Sequence, residues 1–600
     1  MAEPVPLRQP AEPFAPADRW VLAGAVVTVA ALLLPHDLSL WWPGLTTVVA
    51  VRARWRWLLL VALALVGSTM AARADDGLSP VAAGHLDAVV TLVSDPEWFG
   101  PALRADVSHD GARLEAWFRG QAARTVAGRL AGEQIRIEGA VRPRDAAKAW
   151  LEVRHIRGSV SVTVADRVGP GSLPSRLANG LRRTIASGLG SFDRDRAALV
   201  TGLIYGDDRG QDPVTADRFR AAGLTHLLAV SGSNVLFVLA LAAPVVAVWP
   251  RPARLVGLMV VLAFFALVTR YEPSVLRATT MAGLALIGHH SGRSVSSPRL
   301  LALAFIGLVL IDPLLIRNVG FQLSVAASVG ILALAGPIVA RIPGPRWFAE
   351  AGGVTVAAQV GVLPIQLAVF GGLPLASLPA NIAAVPVAGP VMVWGLTAGL
   401  VAGVVGGGMA DLIHLPTGLA VDWLLGVAEV VGGLSTAQLR WWHVPVVATV
   451  SAAVVVWPRA LVVGGLVTCV VVIGIGNSTP PVHEVGSGVT VHRDGAVVLV
   501  VDPGGIGSTG RLLEELRNAG VGDADLLVLR RGGRSALEAL SVLRDSREVR
   551  LVVAPRGSGA SQSWLIDEPV ELVVGGLEVE IVPGPDGSLD VEVRRIGPDG

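Results

Sequence analysis

Between Leu199 and Val235 the chain reads LVTGLIYGDDRGQDPVTADRFRAAGLTHLLAVSGSNV, which sets Asp207, Asp208, Arg209, Asp212, His226, Ser231, Ser233 and Asn234 beside a long apolar run. The pattern recurs further on, as Arg270-Tyr271-Glu272-Pro273-Ser274-Val275-Leu276-Arg277, as Asn318-Val319-Gly320-Phe321-Gln322-Leu323-Ser324, and as Leu378-Pro379-Ala380-Asn381. Polar side chains at membrane depth are costly unless they face protein or water, so together they point to broken helices lining a polar path. The chemistry on offer is hydrogen-bond donation. A single-stranded polyanion needs a wet path with donors spaced along it rather than one tight site, and His226, Ser231, Ser233, Asn234, Arg270, Arg277, Gln322, Ser324 and Asn381 are the candidates for that role. The competing role for each is helix packing or capping, because Ser, Gly and Asn let membrane helices approach closely.

Catalytic chemistry is less well provided for. Ser231 and His226 are five residues apart, which on a helix separates them by roughly 140°, so they do not form a nucleophile and base pair, and no catalytic residue is assigned. Asp207 and Asp208 suit a cation, a helix cap or an exposed turn. The single cysteine, Cys469, excludes an intramolecular disulfide and a thiolate metal cage. A Walker A loop needs Gly-Lys-Ser/Thr, and the only lysine is Lys148 in Asp-Ala-Ala-Lys-Ala-Trp, so no P-loop ATPase is expected and no cofactor is implied.

The elements that must position these residues are set by composition. The 600 residues are 52% hydrophobic and 16% charged, with a mean hydropathy of +0.59, which excludes an ordinary soluble enzyme. Apolar windows at 20–34, 38–51 and 57–70, then from 224 onward to 461–475, predict a polytopic α-helical membrane protein with about 10–13 spans. Arg52, Arg54 and Arg56 between the second and third windows mark an inner loop, and Arg459 precedes the last window, so the segments after each are expected outside. The Pro-rich leader lacks a basic n-region and a small-residue cleavage pattern, so no cleavable signal peptide is expected. The net charge of +1 argues against global attraction for nucleic acid.

Two soluble pieces stand out. Residues 86–168 alternate apolar and polar in short runs, which predicts a small antiparallel barrel with an OB-type fold as the leading candidate. Its arginines and aromatics, with Arg113, Trp117, Phe118, Arg136 and Trp150 as contact candidates, suit a stacking platform for single strands, unless the aromatics belong to the core. Residues 172–190 read as an amphipathic helix on the membrane surface. Residues 482–600 show two successive βα units: strand 497–501, helix 511–519, strand 525–529, helix 536–543 and strand 549–553.

The chain resembles the ComEC-type competence proteins, inner-membrane channels for incoming transforming DNA. The likeness rests on GLTHLLAVSGSNV (223–235), PSVLRATTMAGLALIG (273–288), DPLLIRNVGFQLSVAASVGIL (312–332) and SLPANIAAVPVAGPVMVWG (377–395). It implies N-terminal transmembrane segments at 1–72, an external OB-like domain at 86–168, a competence-type channel core at 195–476 and an external metallo-β-lactamase-like domain at 482–600. It also implies single-stranded DNA as cargo, an external DNA receptor, a cytoplasmic helicase-like motor and location in the plasma membrane; the oligomeric state stays open. The family's last domain normally presents His-x-His-x-Asp-His after a strand, whereas this chain has Arg530-Arg531-Gly532-Gly533-Arg534 there, with only His483 and His492 in the whole domain. A degenerate, truncated domain without a metal site and without nuclease activity is the expectation. The alternative function is secondary transport of a small anionic solute, though no internal repeat is evident.

Overall fold

The computed structural model describes residues 16–37, 41–53, 56–145, 148–374, 376–434, 438–439, 482–485, 488–502, 509–519 and 521–596. Cys469, Trp441, Trp442 and the apolar windows 444–457 and 461–475 lie outside the described residues. Two compact units are formed, one from residues 1–209, 226–370 and 385–421, the other from 210–225, 371–384 and 422–600.

In the first unit, α1 (Pro16–Leu32), α2 (Trp41–Ala53) and α3 (Arg56–Asp76) pack as a helical group. A barrel follows: β1 (Gly84–Leu92), β2 (Glu97–Phe99), β3 (Ala102–His109), β4 (Ala112–Phe118), α4 (Gly120–Val126), β5 (Gln134–Pro143), α5 (Trp150–Val153) and β6 (Ile156–Gly169). Because β1 pairs antiparallel with both β5 and β3, the sheet closes on itself in the order β1-β5-β6-β4-β3-β1. Closure leaves those strands without a free edge. The barrel is not antiparallel throughout, as the alternation alone predicts: β4 and β6 run parallel, which requires a crossover, and the segment containing α4 and β5 supplies it. Val90, Leu103, Val107, Ile135, Ile137 and Val160 are fully buried inside. At Gly139 the register shifts, and an added Cβ would lie 2.3 Å from the Ser161 carbonyl oxygen, so only glycine lets β5 and β6 meet there.

The helical core continues through α6 (Leu173–Ser187) and α7 (Arg194–Tyr205), then, beyond α8 (Pro213–Ala221) of the other unit, α9 (Thr225–Leu228), α10 (Gly232–Val246), α11 (Arg251–Val268), α12 (Pro273–His290), α13 (Ser297–Ile311), α14 (Val319–Val339) and α15 (Arg346–Phe370). Helix starts are set locally. Asp193 and Asn318 cap α7 and α14 by accepting from Arg196 N (2.8 Å) and Phe321 N (3.0 Å). After these come α16 (Ser377–Val405), α17 (Gly407–Ile413) and α18 (Leu415–Leu434), with two-residue strands β7 (Leu373–Pro374) and β8 (Gln438–Leu439).

Among the described residues six helices are long and apolar enough to cross a membrane: α3, α11, α14, α15, α16 and α18; α10 and α13, of 15 residues each, are apolar but shorter. The chain is therefore a multi-pass membrane protein, with fewer full-length helices among the described residues than the 10–13 expected spans. Short helices such as α10 begin at polar stretches that the membrane would reject and that protein contacts accommodate.

The second unit holds an α/β domain. Its main sheet runs β9 (Val482–Val485), β10 (Val489–Arg493), β11 (Val497–Val501), β12 (Ala524–Leu529), β13 (Val549–Pro555) and β14 (Trp564–Ile566), parallel from β11 to β14. α19 (Thr509–Asn518) and α20 (Arg534–Ser546) cover one face, and a second sheet, β15 (Val570–Val574), β16 (Leu577–Pro583) and β17 (Leu589–Arg595), covers the other. α8 joins the helical face: Asp212 caps it, Pro213 opens it, Val214 enters the core beside Leu512 and Leu516, and Asp217 pairs with Arg517.

Candidate functional site

A buried ionic network ties the barrel to the helical core of its unit. Asp95 leaves the barrel after β1, Arg182 lies on α6, Asp207 and Arg209 follow α7, and Arg270 sits in the α11–α12 turn. Arg182 Nη2 donates to Asp95 Oδ2 (2.8 Å) and Asp207 Oδ2 (2.9 Å), while Nη1 donates to the Val268 carbonyl (2.9 Å). Its guanidinium stacks 4.5 Å from the Tyr205 ring centroid. Arg270 reaches Asp95 with Nε (3.1 Å) and Nη2 (2.9 Å), and Nη2 also meets Asn179 Oδ1 (2.7 Å). Arg209 holds Asp207 with two bonds of 2.7 Å. Burial opposes ionisation of both aspartates, but the surrounding guanidinium groups overcome it and hold Asp95 and Asp207 below the usual carboxylate range. Asp208 and Glu272 behave oppositely. Burial pushes both up, reinforced by Glu97 at Asp208 and by Asp208 at Glu272. Arg270 and Tyr271 take consecutive left-handed backbone conformations (φ 55° and 58°), each costing about 1–3 kcal/mol, and the network holds Arg270 there.

A second cluster lies at the start of α10, where three chain segments meet. Ser231 Oγ donates to Asn234 Oδ1 (3.1 Å) and pairs with Ser233 Oγ; Asn234 Nδ2 donates to the Leu203 carbonyl (3.0 Å). From α12, Ser274 Oγ donates to the Val230 carbonyl (2.6 Å), and Arg277 lays its guanidinium against Gly232, where an added Cβ would stand 2.6 Å from Nη2. From α14, Ser328 accepts from Arg277 Nη1 and donates to the Ser324 carbonyl (2.9 Å). Val230, Val235, Phe265, Val275 and Met392 form the apolar packing around this cluster. The arrangement offers one half-buried guanidinium with Ser328 and Asn234 buried, Ser231 and Ser274 half-buried and Ser233 exposed.

Residues 203–465 match the Competence family, described as competence protein. That stretch is a competence-protein domain. It contains Ser231, Arg277 and Ser328. The chain is 29% identical over 245 residues to ComE operon protein 3 of Bacillus subtilis (strain 168), covering 40% of this chain and 30% of that protein. To the uncharacterized protein YcaI of Escherichia coli (strain K12) it is 28% identical over 210 residues, covering 32% and 27%. The aligned part thus spans about a third or less of these curated relatives. No solved structure matches.

The other expected path residues of the competence domain are placed less centrally. His226 is exposed on α9. Gln322 Nε2 donates to the Ile316 carbonyl (2.6 Å), and Ser324 contributes its carbonyl to Ser328. Asn381 is buried in the second unit and donates back to the Ser377 carbonyl (2.7 Å). Arg270, read from sequence as a path donor, has three of its bonds committed to Asp95 and Asn179. Asp207, for which a cation, a cap or an exposed turn were open, is a buried partner of two arginines.

On the barrel, Arg113 is exposed and Arg136 makes a bidentate pair with Asp87 (2.9 and 2.8 Å). Trp117 donates to Glu115 (3.0 Å), and Trp150 is 47% exposed with Arg154 over its ring. Phe118 corrects the sequence reading: it is fully buried in the barrel core and presents no face to a base. Phe118→Ala is therefore expected to destabilise the barrel by about 3–5 kcal/mol, and Trp150→Ala by less than about 1 kcal/mol, in thermal unfolding of the purified chain.

Proposed function

We propose that this chain conducts single-stranded DNA inward across the plasma membrane, with the cluster around Arg277 on its path. The observation that carries the reading is the meeting of Ser231, Arg277 and Ser328, from three separated stretches of the competence domain, inside a bundle of apolar helices. Donors without apolar function, gathered where membrane helices pack, fit a path for an extended anion. The family that this domain matches is described as competence protein, which favours DNA over a small solute.

We read the closed barrel as an OB-type domain, on the support of its strand order, its parallel β4–β6 pair and the helix between β4 and β5. Its placement outside is supported by charge. The core ends that meet the barrel carry Arg270 and Arg317, paired with Asp95 and with Asp75 and Glu152, whereas the opposite ends carry Arg251, Arg254, Arg293 and Arg341, all exposed. The C-terminal α/β domain is read as a degenerate metallo-β-lactamase-like fold, also outside and without hydrolytic activity. Supporting that, Arg530 and Arg531 stand after β12 and face Asp590 (3.0 Å) and Asp586 (3.8 Å). Partners of the uptake route, an external DNA receptor and an inner motor, belong to this reading.

The test is uptake of labelled duplex DNA into protected cytoplasmic form. A deletion strain is expected to bind DNA at its surface yet internalise at least about tenfold less, with recovery on complementation. Normal internalisation in the deletion strain removes the proposal and leaves transport of a small anion as the reading to pursue.

A further inference from the structure

Arg277 differs from the other largely buried arginines of its unit. Arg104, Arg154, Arg182, Arg209 and Arg270 each face a carboxylate. Arg277 has one hydroxyl partner, Ser328; its Nε is shielded from solvent and unbonded, and no carboxylate lies within ion-pair distance among the described residues. A half-buried guanidinium with a shielded, unbonded Nε and no counter-charge is less stable than a paired one, so its place suits a compensating anion that the chain does not supply. The surroundings favour such an anion. The 15-residue helix α10 begins beside the guanidinium, and Ser231, the residue just before it, makes no side-chain cap, turning its hydroxyl to Asn234 and Ser233 instead. The Asn234 N–H is taken by the Ser231 carbonyl (3.1 Å), so the Gly232 and Ser233 N–H groups and the positive end of the helix dipole are what α10 offers beside Arg277. Gly232 keeps the two in register, since any side chain there would strike Nη2.

Resting on the conduction reading above, we propose that Arg277 and the uncapped start of α10 seat one phosphodiester of the passing strand at a time. The seat reads backbone charge and not base identity. One unpaired guanidinium, rather than a ring of them, supplies the missing anion's partner without a deep trap: each phosphate is held by charge-assisted bonds and released as the next arrives. Ser328 steadies the guanidinium between occupants.

The experiment uses the full chain in zwitterionic nanodiscs, with a fluorescein-labelled oligothymidylate and an abasic phosphodiester strand as probes across a salt series. Arg277→Gln is expected to weaken both probes equally, by about tenfold or more, and to flatten the logarithmic salt slope by about 0.7, the loss of one phosphate contact on a single strand. Arg277→Lys should keep the slope with intermediate affinity. The melting temperature of Arg277→Gln should equal or exceed that of the unmutated chain, because an uncompensated charge has been removed. Unchanged affinity and slope in Arg277→Gln, or a fall in its melting temperature, would overturn the seat and leave conduction standing. Arg277-dependent binding of inorganic phosphate or of anionic lipid added to the nanodiscs, with neither strand bound, would overturn the phosphodiester assignment and the conduction reading together.

Discussion

Replacing Arg182 with methionine is expected to lower the unfolding free energy of the barrel and its attached helices by about 3–5 kcal/mol, the usual cost of removing one partner from a buried ion pair. Arg182 is 2% exposed, and its two terminal nitrogens serve Asp95, Asp207 and the Val268 carbonyl at once. Methionine keeps most of the volume against Tyr205 but leaves two buried carboxylates short of a donor. Thermal unfolding and the rate of proteolysis between β6 and α6 would register the loss; a variant that melts with the unmutated chain would show that Arg270 and Arg209 suffice.

The same groups set a pH dependence with two opposite limbs. Asp95 and Asp207 are held below their unfolded values, so the stability they contribute is present above the ordinary carboxylate range and fades as pH falls below about 4. Asp208 and Glu272 are raised, so the folded state binds their protons more tightly and loses stability as pH climbs from the unfolded carboxylate range through their folded values. Thermal stability of the purified chain should accordingly peak on the acid side of neutrality, above pH about 4. A profile that does not fall anywhere above the unfolded carboxylate range would remove Asp208 and Glu272 from the account.

Particular residues show what could be read in advance. The long apolar helices were legible, since hydrocarbon thickness leaves a direct mark on the sequence, and so was the alternation that builds the barrel. Strict period-two reading would have placed Phe118 correctly too: Leu114, Ala116 and Phe118 share a face and all are buried, while Trp117 points the other way and stays partly exposed. Arg270 was not legible, because its partner Asp95 lies 175 residues away and nothing local distinguishes an arginine bound for a salt bridge from one lining a path. Arg182 gave a misleading signal. On an amphipathic helix it resembles a surface cation, yet the barrel covers it. α8 likewise sits near the start of the competence-type stretch, and only the folded chain puts Val214 and Asp217 against the C-terminal α/β domain. Ser328 had a usable local mark: it follows Ser324 by four residues and so shares its face of α14.

The packing of α14 on α15 carries the remaining large effect. Gly330 and Gly361 meet where the helix backbones touch. A Cβ on Gly330 would lie 2.3 Å from the Ala357 carbonyl oxygen, and one on Gly361 would lie 2.4 Å from the Ala326 carbonyl oxygen. Both obstacles are backbone atoms of rigid helices, which no rotamer change can clear, so the axes must part. Gly330→Ala is expected to cost about 1–3 kcal/mol, with a larger residue such as leucine costing more, read as a lower melting temperature and reduced membrane levels. Gly336, on the same helix, has open space around its Cα, and Gly336→Ala should be neutral or stabilising by about 0.4–1 kcal/mol. Equal effects of the two alanines would mean that α14 and α15 do not cross this closely. If the crossing holds, parting it also displaces Ser328, two residues before Gly330 on α14. The hydroxyl that steadies Arg277 is then withdrawn, and DNA uptake should fall further in Gly330→Ala than its residual protein level accounts for, because the helix crossing and the guanidinium are set by one stretch of α14.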